Sequence, residues 1–303
     1  MLQRLEFHAM GCEMLAAVEC DLLPARLAQV PGWFEEWEQV LSRFRYDSEL
    51  TRLNQIHGRP VAVSETLWQV FQAALQAEQM SGGLVTASLL DAILAAGYDR
   101  PFDELPEQVS SAEKPVPART KLLASFGSDD SARTISLPPG AGLDFGGIAK
   151  GWAAQQAMLR LREAGPSLVD AGGDIAISGP RAGGHPWKIG VANPFQPDQD
   201  LETLKVMGGG VATSGKDHRH WSRNGIPQHH IIDPQTGRPA QTDLLTVSVV
   251  APDVLQAEAA AKAVLILGAD AGLAWLEAQA EFAGLLLLDN GNQLFSHEMR
   301  RYM

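Results

Sequence analysis

Several stretches of this sequence bring together residue types that could do chemistry. In AEAAAKAVLILG, residues 257–268, Glu258 and Lys262 stand four apart in an otherwise apolar segment. On a helix that spacing stacks both side chains on one face. They make either a weak surface ion pair or a charged pair that looks into a site. LDFGGIAKGWA places Asp144, two glycines and Lys150 where a strand ends and a helix begins. Exposed amides and a helix start suit an anion there, and the same residues also suit a tight capped turn. The stretch is neither a P-loop nor a dinucleotide GxGxxG. HHIIDPQTGRP holds an Asx-capped turn at Asp233–Gly237 behind His229 and His230. Neighbouring strand residues point to opposite faces, so at most one of those histidines lines any given pocket. VATSGKDHRHW offers Thr213 and Ser214 before a glycine, but no G-x-S-x-G elbow, which removes the serine-hydrolase pattern. His218 and His220 read as part of a solvated loop.

The elements that must position these residues come from an ordinary globular composition. The chain has 303 residues, 45% hydrophobic and 20% charged, enough for a large core. Its net charge of −12 repels phosphate backbones and argues against a nucleic-acid partner. An anionic ligand would need local amides or cations. Cys12 and Cys20 make neither a disulfide framework nor zinc-ligand spacing. Arg4, Glu6, Glu13 and Glu19 interrupt the start too often for a signal peptide. AVLILG and GLLLLD are too short to span a bilayer, so a cytoplasmic protein without a membrane span is expected.

LEFHAMGCEMLAAVEC predicts two strands around a turn at Met10-Gly11. Residues 25–41 predict an amphipathic helix, with Trp33, Phe34 and Trp37 partly inward. Ser64 caps a helix through SETLWQVFQAALQAEQM, and SGGLVTASLLDAILAAGYD predicts a glycine turn and a further helix. Residues 101–119, rich in Pro, Ser and charge, predict a loop or insertion. RTISLPPGAGLDFGG predicts a hairpin-like pair of strands, and IAKGWAAQQAMLRLREAG a helix. Strands follow at SLVDAGGDIAISG, WKIGVANP, TLKVMGGGVATSG, HHIIDP and TVSVVAP. Helices DVLQAEAAAKAVLILG and AGLAWLEAQ precede a final hairpin around Asn290-Gly291. Strands and helices do not alternate one for one, which gives an α+β fold in a single domain, 1–303, with no evident linker.

Taken in order, these pieces resemble the ApbE family, the FAD:protein FMN transferases. The matching segments are AMGC, LSRFRYDSELTRLN, the SGG turn, LDFGGIAKGWAA, LVDAGGDIAISG, WKIGVANP, VATSG, HHIIDPQTGRPA and the helix after APDVLQAEA, over roughly residues 5–268. The resemblance implies mixed and antiparallel sheets with packed helices around an FAD cleft. It also implies a reaction in which magnesium polarises the FAD pyrophosphate, an acceptor threonine attacks, FMN is attached and AMP leaves. It places Met10, Phe44 and the backbone near Leu84, Val85 and Thr86 against the flavin nucleotide. Asp144 would hold the adenosine side, with Lys150 near it and Ile232 packed on it. VATSG adds Thr213 to the binding set. The Gly147 carbonyl would face the metal, and His230 falls on the family's histidine before the Asp-Pro turn. Two departures stand out. The family's acidic residue in GaFDPT is missing from Gly83–Ser88. The family's magnesium-holding Asp and Thr are Glu258 and Lys262 here, candidates for the catalytic set beside His230. Either Glu258 and backbone carbonyls hold a weaker metal, or the Lys262 ammonium replaces it. The second case allows a module that binds FAD without transferring it. A pyrophosphatase using water in place of threonine is a further alternative.

Overall fold

The opening hairpin follows from alternation and two residues. Leu2–Ala9 and Cys12–Glu19 pair antiparallel with Ala9 opposite Cys12, leaving Met10-Gly11 as the loop. Both loop residues have positive φ, 48° and 68°, the mirror-image turn whose twist suits a hairpin. The structure, a computed structural model, describes residues 1–21, 24–109 and 120–303. Its helices are α1 (Ala25–Leu41), α2 (Glu49–Leu53), α3 (Glu65–Met80), α4 (Leu90–Ala96), α5 (Ala149–Leu161), α6 (Val254–Leu267) and α7 (Ala269–Glu277). The described residues fall into two compact units. One comprises Met1–Phe34, Lys150–Asp217 and Thr242–Met303, the other Glu35–Ala149 and His218–Gln241.

The first unit is built on an eight-stranded sheet whose strand order follows the sequence. After the opening hairpin come Ser167–Ala171, Asp174–Ile177, Gly209–Gly215, Leu244–Ala251, Ala283–Leu288 and Gln293–Phe295. Every neighbouring pair is antiparallel. A separate ribbon, Trp187–Ala192 with Asp200–Val206, packs Trp187, Ile189 and Leu204 against Ile175, Val211 and Leu285 of the sheet. Helix α6 lies against Gly209–Gly215 and Leu244–Ala251. Asp253 caps it, its carboxylate accepting from the Gln256 N–H at 2.8 Å. Ala257, Ala259, Ala260, Ala261, Ala263 and Val264 are all buried, as expected of a helix apolar nearly all round.

The second unit holds α2, α3 and α4 with short sheets. Ser48 and Ser64 cap α2 and α3 through hydroxyls that accept from Thr51 and Leu67 N–H groups. Gly97, at φ 97°, ends α4 in the left-handed conformation. Ala92, Ile93, Ala96, Tyr98, Trp221 and Ile232 form a core there, and the Trp221 Nε1–H donates to the Ala96 carbonyl at 2.9 Å.

The structure is α+β with mixed and antiparallel sheets, as the sequence indicates. The expected loop at 101–119 contains a short strand, Gln108–Val109, parallel to Ser222-Arg223. Residues 110–119 lie outside the described residues. The hairpin expected in RTISLPPGAGLDFGG is a correction, since only Thr134–Ser136 is a strand, between Gly127–Asp129 and Val61–Ala62. Pro138 and Pro139 have no N–H for a second ladder. Instead the Asn54 carboxamide takes the place of a strand partner. It donates to the Leu143 carbonyl and accepts from the Leu143 N–H, each at 2.8 Å.

Candidate functional site

Buried charge gathers in the first unit. Helix α5 begins at the glycine turn and carries Lys150 in its first turn, ion-paired with Asp174 at the start of strand Asp174–Ile177. Asp174 is buried. Helix α6 brings Glu258 and Lys262 to the same cluster, Lys262 Nζ donating to Glu258 Oε1 at 2.9 Å. The Glu258 side chain is 0% exposed and that of Lys262 14% exposed. The surface-pair alternative is thereby overturned. An exposed pair needs both side chains on a wet face of α6, and Glu258 lies on its buried side. Glu258 Oε2 has no hydrogen-bond partner among the described residues. It lies over Gly151 of α5, where a Cβ would stand 2.4 Å away.

The electrostatics follow from burial. Loss of solvent and the neighbouring Asp174 carboxylate push Glu258 up to about 7, against the pull of Lys262 and Lys150. Burial pulls the Lys150 ammonium down, but attraction to Asp174, Glu258 and Cys12 outweighs it and the net shift is upward. Burial also raises Asp170, with partial relief from the Gly173 N–H that its carboxylate accepts at 2.7 Å. Nearby, the Thr213 and Ser248 hydroxyls meet at 2.7 Å across paired strands.

A second constellation belongs to the other unit. Arg43 Nε donates to Asp144 Oδ2 at 2.5 Å, with both side chains buried. Its guanidinium lies over the Phe44 ring at 4.0 Å and the Tyr98 ring at 4.7 Å. Asp144 Oδ1 accepts from the Gly146 N–H at 2.6 Å, which shapes the turn into α5. Phe44 is 38% exposed, so part of its ring is accessible from solvent. His230 is half-buried with Nδ1 3.4 Å from the Arg219 carbonyl, while His229 Nε2 sits 3.0 Å from the Ala240 carbonyl.

The ApbE family model matches residues 10–286. The chain belongs to the ApbE family. The FAD:protein FMN transferase of Treponema pallidum is 33% identical over 276 residues, 86% of this chain and 75% of that protein. Its Vibrio cholerae counterpart is 27% identical over 255 residues, 82% of this chain and 75% of the relative. Among solved structures, the ApbE protein of Thermotoga maritima superposes with a TM-score of 0.87 at 23% identity, covering 100% of this chain and 99% of that one. The flavin transferase ApbE from Vibrio cholerae gives 0.81 at 24% identity, over 100% and 99%. At these identities the superpositions speak for the fold.

Of the residues that the ApbE resemblance singles out, Lys150, Glu258 and Lys262 come together in the first unit. Met10 stands at the hairpin tip of that unit, and Thr213 is exposed on its strand. In the second unit Phe44 and Asp144 meet through Arg43. Leu84 is half-buried. Val85 and Thr86 are buried, Thr86 donating to Glu78 Oε2 at 2.6 Å. Glu78 itself is occupied by the Leu123 and Ala124 N–H groups. Ile232 is 2% exposed and spends its side chain in the core with Tyr98 and Trp221. Gly147 lies in the turn leading into α5.

The cluster around Glu258 does not fit a divalent cation. The Lys262 ammonium already occupies Oε1, and Oε2 faces a helix backbone across Gly151. The Lys150 and Lys262 ammoniums offset Asp174 and Glu258, so even with Asp170 beside them the cluster carries little net negative charge to attract a metal. No group of three His, Cys, Asp or Glu side chains among the described residues could hold one. Sequence reasoning missed Asp174, Gly151 and Arg43. Asp174 sat inside VDAGGDIAISG, where the glycines drew the attention, and Arg43 beside Phe44 in LSRFRYDSE.

Proposed function

We propose that this chain is an FAD:protein FMN transferase. The observation that carries the reading is family membership across residues 10–286, supported by a relative of that name at 33% identity over 86% of the chain. The substrate is FAD, and the acceptor is a protein bearing a threonine flavinylation motif. The threonine oxygen bonds to the FMN phosphorus, the bond from that phosphorus to the bridging oxygen breaks, and AMP leaves with the bridging oxygen. His230 takes the hydroxyl proton. Phe44 stacks on a flat ring of FAD. Arg43 fixes both that ring and the Asp144 carboxylate, which accepts hydroxyl or amino donors of the adenosine. Met10, Thr213 and the backbone at Leu84–Thr86 complete the binding set, Ile232 backs it from the core with Tyr98 and Trp221, and Gly147 contributes a carbonyl. Residues 1–303 are taken as one functional domain, and the reading carries a cytoplasmic location. No helix among the described residues is long and apolar enough to cross a membrane.

The test is the intact mass of a small acceptor domain after incubation with this protein and FAD. A gain of one FMN, matched by released AMP and lost when the acceptor threonine is replaced, supports the transferase. A second reading is favoured by the Lys262–Glu258 pair alone. In it the chain binds FAD and has lost transfer, and the same assay then returns bound FAD with an unmodified acceptor.

A further inference from the structure

The Lys262–Glu258 pair asks for an explanation beyond stability. Removing a carboxylate and an ammonium from water is costly, and apolar replacements of such pairs are often neutral or stabilising. Here the carboxylate is fully enclosed by alanine-rich α6 and by Gly151, so its position is fixed to within the play of that packing. It uses one oxygen to hold the ammonium at 2.9 Å. The lysine side chain, unlike that of its partner, is partly exposed, at 14%. An ammonium has three donors, and Glu258 Oε1 is its hydrogen-bond partner among the described residues. Two donors therefore remain beyond that bond. The adjoining Lys150–Asp174 pair adds a second cation whose own charge is balanced.

We propose that Lys262 is the resident cation of this chain, standing on Glu258 in place of a divalent metal and binding the diphosphate of the ligand directly. The identity of the ligand as FAD rests on the transferase reading, whereas the exclusion of metal does not. The geometry makes two demands that a metal site would not. One oxygen of the carboxylate is already held by a cation that no chelator removes. The charge is carried by one point with fixed donors, so the diphosphate is held by hydrogen bonds and not by octahedral coordination. In a chain of net charge −12, such a built-in charge lets a dianion bind without recruiting an ion from solution.

Two titrations on the intact protein test this. The first follows the EPR signal of free Mn²⁺, with and without FAD. The second follows quenching of FAD fluorescence in EDTA and in magnesium. The expected result is no stoichiometric Mn²⁺ binding and an FAD affinity unchanged by chelation. Lys262→Met should weaken FAD binding by about tenfold to a hundredfold, with Lys262→Arg recovering much of the loss, because the charge-assisted bonds to phosphate go and return. A merely structural lysine would change thermal stability and leave FAD affinity alone. The double variant E258D/K262T removes the ammonium and should bind one Mn²⁺. One Mn²⁺ bound by the wild-type protein, or FAD binding abolished by EDTA, overturns the inference and leaves the transferase reading standing. If FAD fails to bind under either condition, the transferase reading falls, and the Mn²⁺ titration still decides whether Lys262 has displaced the metal.

Discussion

Replacing Gly151 with alanine tests the packing of the buried carboxylate. A Cβ at position 151 would lie 2.4 Å from Glu258 Oε2 and 3.6 Å from the Val254 carbonyl oxygen. Ordinary contact begins near 3.4 Å, so the carboxylate would have to retreat by about 1 Å in a close-packed interior. Glu258 is fully enclosed and tied to Lys262, which leaves little room for that retreat. Forcing an extra methyl into a packed site costs about 1–3 kcal/mol. Exchanging a helical glycine for alanine gains about 1 kcal/mol through the unfolded chain. The Gly151→Ala protein is therefore expected to lose up to about 2 kcal/mol. In a Glu258→Ala background the obstructing atom is gone, and the same change should stabilise by about 1 kcal/mol. The double-mutant cycle should then show a coupling of about 1–3 kcal/mol. Urea denaturation of the four proteins, followed by tryptophan fluorescence at one pH, measures it. If Gly151→Ala stabilises both backgrounds equally, Glu258 does not lie over Gly151 and the account of the cluster is wrong.

Other outcomes are accessible with single variants. Asn54→Ala strands the Leu143 N–H and carbonyl, each worth about 1–3 kcal/mol when left unsatisfied, and should lower the urea midpoint without changing the slope. Arg43→Met leaves the Asp144 carboxylate buried and unpaired, a loss of about 3–5 kcal/mol in thermal or urea unfolding. Arg43→Lys should retain more stability while weakening FAD binding, because a lysine cannot lie flat over Phe44 and Tyr98. Glu19 is held below its ordinary value of 4.5 by the Ala182 N–H and then by Arg181. Its folded pKa is depressed, so its contribution is present above the unfolded value and lost as pH falls through the folded one. Glu19→Gln should thus be less stable than wild type at neutral pH, and the gap should close on acidification. Parallel curves would refute that linkage.

How much of this was legible in the sequence depends on the range of the interaction. The Met10-Gly11 hairpin, α1, the Ser64 cap and the hairpin at Asn290-Gly291 rest on signals within a few residues, and each forms. Leu143 is held by Asn54 across 89 positions, which no local pattern announces, so LDFGG was misread as strand. The spacing of Glu258 and Lys262 predicted a shared face but could not say whether that face was wet. The deciding signal is the alanine run around them, which buries the Glu258 side of α6. Asp174 pairs with Lys150 over 24 residues, and only the sheet order makes them neighbours.

The same reasoning bears on why the cluster keeps its charges. Lys150 with Asp174 and Lys262 with Glu258 form two ion pairs in one apolar surrounding, and neither pair is a bargain for folding alone. The pairs are also unequal. Asp174 is committed to its lysine, and the shift of Lys150 upward marks a cation that stays charged at every physiological pH. Glu258 is raised to about 7 by burial and by Asp174, and the packing of α6 on Gly151 and the bond to Lys262 hold it in place. A carboxylate kept enclosed in this way serves to aim the ammonium attached to it. Two ammoniums set against Asp174, Glu258 and the burial-raised Asp170 leave little uncompensated negative charge to draw in a metal ion.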